Sequence, residues 1–406
     1  MHVLLATHAS LEIDSGEERA LQDLGQVLLA RGHRVRFANY EGLLDNVRRR
    51  TSEQVRERLG TAELVSVPAM PLVGRLWAVP SLRGLRSLAR SVGWSDVVVF
   101  GQFYGFDAVV YLLGRALGKP VVCSQANALF RRFRSDLRDA VQEAYERTVG
   151  VALLRRFAGV RVCNTDDLRE LTRRGCRNVV LLYPPNMDLS AVTSPADLPP
   201  PFSTLVRKLS ADPRFKVLVA GRMTHQKGLD LLEEALLCLG ERRPQVVDQL
   251  VVLCAGTDRL PEELNRVARD YPGLVENLGI LPREVFPSVL GTVNAVVMPS
   301  RYESFGRVAA EAQSLGRPVI GTNITGLREV VVPGVTGLLV DRWSGDALAE
   351  AIEQLRTTFA SDPERWSGMG AASRKNFEEH LGVERVRAQL DALVDMLEGL
   401  AKPSPR

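Results

Sequence analysis

Histidine, cysteine and aromatic residues are scarce in this chain, with 5 histidines, 5 cysteines and 6% aromatics in 406 residues. Cys123, Cys163, Cys176, Cys238 and Cys254 form no Cys-x-x-Cys motif and no Cys/His pairing, so they argue against zinc and read as buried free thiols. No apolar stretch approaches the roughly 20 residues of a membrane-spanning helix. The opening residues Met1 to Thr7 turn polar at His8, without the apolar length or basic leader of a secretory signal, and a cytoplasmic location is expected.

A hydrophobic content of 45% with 25% charged residues is the balance of a soluble globular protein. The length suggests two domains, at roughly 100 to 200 residues each. Net charge is only +4, yet Arg48-Arg49-Arg50 and Arg131-Arg132-Phe133-Arg134 gather basic residues in the first half. These read first as solvated helix faces, and second as a patch for an anionic acceptor or a peripheral membrane contact. No nucleic-acid module accompanies them, and no nucleic-acid partner is expected.

Apolar runs of strand length alternate with helical stretches: Val3 to Thr7, Val35 to Asn39, Asp96 to Phe100, Pro120 to Ser124, Val160 to Asn164 and Val179 to Tyr183. Uninterrupted runs of this kind suit parallel strands covered on both faces. Prolines then crowd the chain at Pro184-Pro185, Pro195 and Pro199-Pro200-Pro201, which reads as a linker. A second series begins at Phe215 to Ala220 and continues through Leu250 to Ala255, Ala295 to Met298, Pro318 to Gly321 and Leu338 to Val340. The expected fold is α/β, two Rossmann-like doubly wound domains facing a cleft. Their bounds are 1–190 for an acceptor-binding domain, 191–214 for the linker, 215–380 for a donor domain, and 381–406 for a C-terminal helix that crosses back to the first domain. Asp362-Pro363-Glu364 reads as a helix start, with proline at the first helical position.

Two segments carry the chemistry. Gly221-Arg222-Met223-Thr224-His225-Gln226-Lys227-Gly228 follows an expected strand, and its glycines permit tight turns while Arg222 and Lys227 bring two cations to the strand's carboxyl end. A pyrophosphate needs both features. The alternative is a surface turn with chance basic residues. The second segment runs from Pro299 to Ala312 and contains Glu303, Ser304, Phe305, Gly306, Arg307, Val308 and Glu311. Ser304 is expected to cap a helix whose first N–H groups favour an anion, with Gly306 allowing close approach to the backbone. Glu303 precedes that helix and Glu311 lies about two turns into it, so the two carboxylates can reach different parts of one ligand. On its own such a spacing is common on helix surfaces; its place after a strand is what makes it informative.

These motifs, with Leu315 to Ile320, Val335 to Val340, Gly32-His33-Arg34-Val35 and Pro185-Asn186-Met187-Asp188, resemble the retaining glycosyltransferases of family 4, which have the GT-B fold. The resemblance implies that Arg222 and Lys227 hold a donor diphosphate. It gives the transferred sugar to Glu303 and the amides at Phe305 and Gly306, and the ribose hydroxyls to Glu311. Gly16, in Ser15-Gly16-Glu17, corresponds to the family's Gly-Gly loop with serine at the first position. Where members often carry histidine, this chain reads Phe100-Gly101-Gln102 and Cys123-Ser124-Gln125-Ala126-Asn127. Gln102, Gln125 and Asn127 therefore orient a sugar or acceptor without carrying protons, and His8 is a further candidate contact.

A nucleoside-diphosphate sugar (UDP or GDP) is thus expected as co-substrate, with no cofactor and no metal, because two cations already face the diphosphate and no Asp-x-Asp motif is present. The acceptor is a small natural product, a saccharide or a lipid head group. Trp77, Trp94, Phe103 and Tyr104 read first as core aromatics and second as candidates for lining its site. Without a protein nucleophile the leaving phosphate would serve as base in a front-face transfer. The rival readings are a nucleotide-sugar epimerase and a non-catalytic nucleotide-sugar binding protein.

Overall fold

A computed structural model describes residues 1–7, 16–40, 55, 57, 59–72, 77–101, 105–125, 129, 144, 146–185, 187–192, 194–341 and 343–402. They fall into two compact units. The first lies within Met1–Phe130, Val141–Pro185 and Val386–Arg406, and the described residues from 187 to 385 form the second.

The first unit is built on β1 (His2–Thr7), β2 (Arg34–Tyr40), β3 (Glu63–Val67), β6 (Val97–Gly101), β7 (Val121–Ser124), β8 (Gly159–Val162) and β9 (Val179–Leu181). They form a parallel sheet in the order β3-β2-β1-β6-β7-β8-β9, beside a separate antiparallel pair, β4 (Ala69–Leu72) and β5 (Trp77–Pro80). Because side chains alternate across a strand, Leu4, Ala6, Val98, Phe100, Cys123, Val160 and Val162 share one face. They are buried there with Leu88, Val92, Val110 and Leu171 from the helices that follow the strands. On the other face, a Cβ on Gly25 would strike the Phe37 ring at 2.6 Å and one on Gly159 would strike Met396 Sδ at 2.9 Å. The helices Gly16–Ala30 and Val383–Ala401 therefore cover that face. The second of these is held by an acidic ladder: Arg31 donates to Asp391 at 2.6 Å and Asp395 at 2.7 Å, and His33 Nε2 lies 2.9 Å from Glu398. Gln389 Oε1 accepts the Tyr183 N–H at 2.9 Å.

The second unit repeats the plan with β10 (Phe215–Ala220), β11 (Leu250–Ala255), β12 (Val275–Gly279), β13 (Ala295–Met298), β14 (Val319–Thr322) and β15 (Gly337–Val340), ordered β12-β11-β10-β13-β14-β15 and parallel throughout. Its core joins Val217, Val219, Val252, Cys254, Val297 and Ile320 to Leu232, Leu236, Leu348, Ile352 and Leu355. Two Rossmann-like units are what the alternating pattern called for.

Three expectations need correction. The proline-rich stretch is not an open linker, since Pro200–Ala211 is a helix with prolines in its first turn, where their missing N–H groups have no intrahelical acceptor to lose. The strands β3 and β12, at the outer edges of their sheets, were not anticipated, nor was the β4–β5 pair. Among the cysteines four are buried, but Cys238 is only partly so, and its thiol donates to Asp346 at 3.0 Å. The expected cap at Asp362 is present: its carboxylate accepts the Arg365 N–H at 3.0 Å, with proline in the first turn.

Candidate functional site

In the second sheet the strand order reverses between β10 and β13, and open α/β sheets bind ligands beyond the carboxyl ends of strands at such a point. The two loops that leave these strands are the two segments singled out in the sequence. Gly221 opens the first, its N–H donating to Ala255 O at 3.0 Å. A single 3-10 turn, His225–Lys227, ends at Gly228, whose φ of 64° is left-handed and whose Cβ position lies 1.9 Å from Pro299 O. Only glycine lets the first loop press against the backbone of the second.

The contact is stitched by groups that sequence reasoning missed. The Arg301 N–H donates to Gln226 O at 2.9 Å, and Gln226 Nε2 to Tyr302 O at 2.9 Å. The buried Arg301 guanidinium donates to His225 O at 2.8 Å and to both Asp230 oxygens at 2.9 and 2.5 Å, and it sits 4.5 Å over the Trp343 ring. Burial opposes the charge on Asp230, but the Arg301 bonds and charge outweigh it, and the carboxyl is held below its ordinary range. The trace of this buttress in the sequence is a charged residue three positions after a strand.

Lys227 Nζ stands 2.5 Å from Glu303 Oε1, which also accepts from Ser300 Oγ at 3.0 Å. The ion pair is mostly buried, with side chains 20% and 12% exposed. Arg222 differs: it is exposed, and among the described residues its guanidinium makes no ion pair or hydrogen bond. Beyond Glu303, whose carbonyl accepts the Gly326 N–H at 3.1 Å, the chain buries Phe305 and turns through Gly306 at a φ of 84° into the helix Arg307–Ser314.

Gly306, not Ser304, therefore occupies the cap position. The left-handed turn delays the helix to Arg307, so the amides without an intrahelical acceptor are those around Arg307 and Val308. Glu311 is buried one turn further on and accepts from Arg307 Nε at 2.9 Å. The switch point thus gathers an unpaired guanidinium, a paired ammonium and a helix N-terminus, all of which favour a bound anion. Beside it, the Gly256 N–H donates to Gly279 O at 2.8 Å, joining the loops after β11 and β12.

In the first unit Gly16 begins the helix after β1. His8, Gln102 and Asn127 lie outside the described residues, as do Phe103, Tyr104 and both arginine clusters. Gln125 follows β7 and is buried, its N–H donating to Arg161 O at 2.8 Å. Arg161 was also missed. It is buried on the face covered by the last helix, donates to Leu182 O at 2.9 Å and Ser124 Oγ at 3.4 Å, and has no carboxylate partner among the described residues. Trp94 stacks on His2 at 4.6 Å with Arg36 over it at 4.1 Å, at the amino end of the sheet and away from the ligand edge.

The comparisons converge on one family. Residues 214–358 match the model of the glycosyl transferases group 1, and this span holds both loops. The D-inositol 3-phosphate glycosyltransferase of Xylanimonas cellulosilytica is 33% identical over 308 residues, 70% of this chain and 69% of that protein. The same enzyme of Pseudarthrobacter chlorophenolicus is 34% identical over 196 residues, 47% of this chain and 44% of the relative, so the chain spans about half the length of the first curated relatives it matches. Among solved structures, Anabaena HepE in complex with UDP shares the GT-B fold at a TM-score of 0.71 and 18% identity, over 98% of this chain and 100% of that one. The chain belongs to the glycosyl transferases group 1 family.

Proposed function

We propose that this protein is a retaining glycosyltransferase of the family 4 type. It takes a sugar from a nucleoside-diphosphate donor held at the β10/β13 switch point and passes it to an acceptor hydroxyl without a metal ion. The observation that carries this reading is the convergence of Arg222, Lys227 and the Arg307–Ser314 N-terminus beside Glu303. HepE, which has the same fold, holds UDP in one structure and UDP-glucose in another, and UDP is the first donor nucleotide to test.

In this reading Arg222 is the mobile clamp on the diphosphate, bridging planar oxygens as a guanidinium can. Lys227 spends one of its three donors on Glu303, which fixes the ammonium and leaves two donors for phosphate. The helix amides complete a preorganised positive field that stabilises the departing diphosphate as the sugar gains oxocarbenium character. Glu303 meets the sugar hydroxyls and Glu311, oriented by Arg307, the ribose. The leaving phosphate takes the acceptor proton, and the configuration at the anomeric carbon is kept.

The test is thermal stabilisation by UDP, GDP, dTDP and ADP, with and without magnesium, on the wild type and on Lys227→Ala. Stabilisation by one nucleotide, unaffected by chelator and lost in the variant, is expected. Transfer abolished by chelator and restored by manganese overturns the metal-free reading. An inverted product anomer overturns the front-face step, and conversion of the donor without any acceptor points to an epimerase.

A further inference from the structure

The helix Leu82–Trp94 of the first unit contains three arginines, Arg83, Arg86 and Arg90, and no acidic residue. All three are exposed, and none forms an ion pair among the described residues. Several arginines exposed on other helices are answered by carboxylates, as Arg173 is by Glu170, Arg242 by Asp346 and Arg266 by Glu233. The same face carries Leu82, 78% exposed, and Leu85, 37% exposed.

At about 100° per residue, Leu82, Arg86 and Arg90 follow one line along the helix, with Arg83 on one flank and Leu85 on the other. The opposite side is committed to the core through Gly84, Leu88, Ser91 and Val92. The adjoining helix Gly105–Ala116 and its exit continue the chemistry, with Leu112 64% exposed, Leu117 45% exposed, and Arg115 on the surface.

We infer that this face rests on an anionic lipid surface. A convex helix that offers leucines and guanidiniums side by side matches a bilayer interface, where the apolar tips enter the acyl boundary while the arginines bridge headgroup phosphates. The charge is complementary to such a surface and is not cancelled within the helix. One short helix makes the attachment weak and reversible, and it acts independently of the reaction at the β10/β13 switch point.

Co-sedimentation of the full chain with phosphatidylcholine vesicles, and with vesicles that also contain phosphatidylglycerol, tests this directly. Binding to the anionic vesicles alone, reversed by salt, is the expected result. A basic residue near such a surface contributes about fivefold, so Arg83→Gln/Arg86→Gln/Arg90→Gln should weaken binding on the order of 100-fold. Leu82→Ser should weaken it less, and Arg173→Gln not at all. Unchanged stabilisation by the donor nucleotide verifies that the variants fold. Equal affinity for both vesicle types, or undiminished binding by the triple variant, overturns the inference. Binding to polyglutamate without binding to vesicles overturns it as well, and assigns the face to an acidic protein.

Discussion

The two units place a strand-order reversal at corresponding points, between β1 and β6 in the first and between β10 and β13 in the second. In the second unit both loops at that point are pinned, backbone on backbone at Gly228 and Pro299 and by the Arg301–Asp230 and Lys227–Glu303 pairs. In the first unit the loops that leave β1 and β6 lie outside the described residues, and a buried cation within β8 is held differently: Arg161 answers to a carbonyl and a hydroxyl, without a carboxylate among the described residues. In the proposed reading, a site that must meet a constant, highly charged group profits from such fixed, mutually oriented ions, whereas an acceptor edge would be under no such demand.

The largest expected effect separates binding chemistry from stability within the pinned site. Arg222 is exposed and unpaired among the described residues, so Arg222→Ala should lower kcat/KM by about 100- to 1000-fold with the melting temperature unchanged. A drop in melting temperature with activity kept would show that the residue is structural.

Next comes a glycine comparison across the units. Gly228 and Gly175 are both left-handed, with φ of 64° and 80°. A Cβ on Gly228 collides with Pro299 O, while one on Gly175 meets nothing nearer than Arg155 at 3.7 Å. Gly228→Ala should cost about 3 kcal/mol or more, and Gly175→Ala about 1 kcal/mol. Equal losses in urea unfolding would mean that the two loops are not tightly apposed.

The smallest effect compares the units in acid. Bonds from Arg214 hold Asp212 at about 2, below 3.8, and bonds from Arg173 and Arg174 hold Glu170 at about 2, below 4.5. Each folded value is depressed, so the stabilisation is present above the unfolded value and disappears as pH falls toward 2. Allowing for partial exposure it amounts to about 1 kcal/mol each. Asp212→Asn and Glu170→Gln should flatten the acid limb of the stability curve, and variants that leave its slope unchanged would show that these bonds do not persist in solution.

Central strands were legible because burial on both faces forces continuous apolar runs; Phe215–Ala220, Leu250–Ala255 and Ala295–Met298 begin and end where the sequence places them. Two of the four edge strands, β3 and β12, escaped for the same physical reason. Glu63–Val67 and Val275–Gly279 are half-solvated and carry Glu63, Ser66, Glu276 and Asn277, so no apolar run marks them. At the site, residues that bear charge toward a ligand stood out by type and by position after a strand. The Asp230–Arg301–Trp343 buttress did not, because its meaning lies in contacts between residues 71 and 42 positions apart. Ser304 was misread as a cap because residue type suggested it, whereas the left-handed turn at Gly306 decides where the helix begins.

The helix Val383–Ala401 carries a consequence for how the chain is made. Its residues from Val386 onward belong to the first unit, where they cover Gly159 and engage Arg31 and His33. On the ribosome the sheet of the first unit emerges early but lacks this cover until Val383–Ala401 has followed, while the second unit, drawn from the intervening residues, can close beforehand. The second unit can therefore be completed before the first, and a helix made after it seals the first sheet.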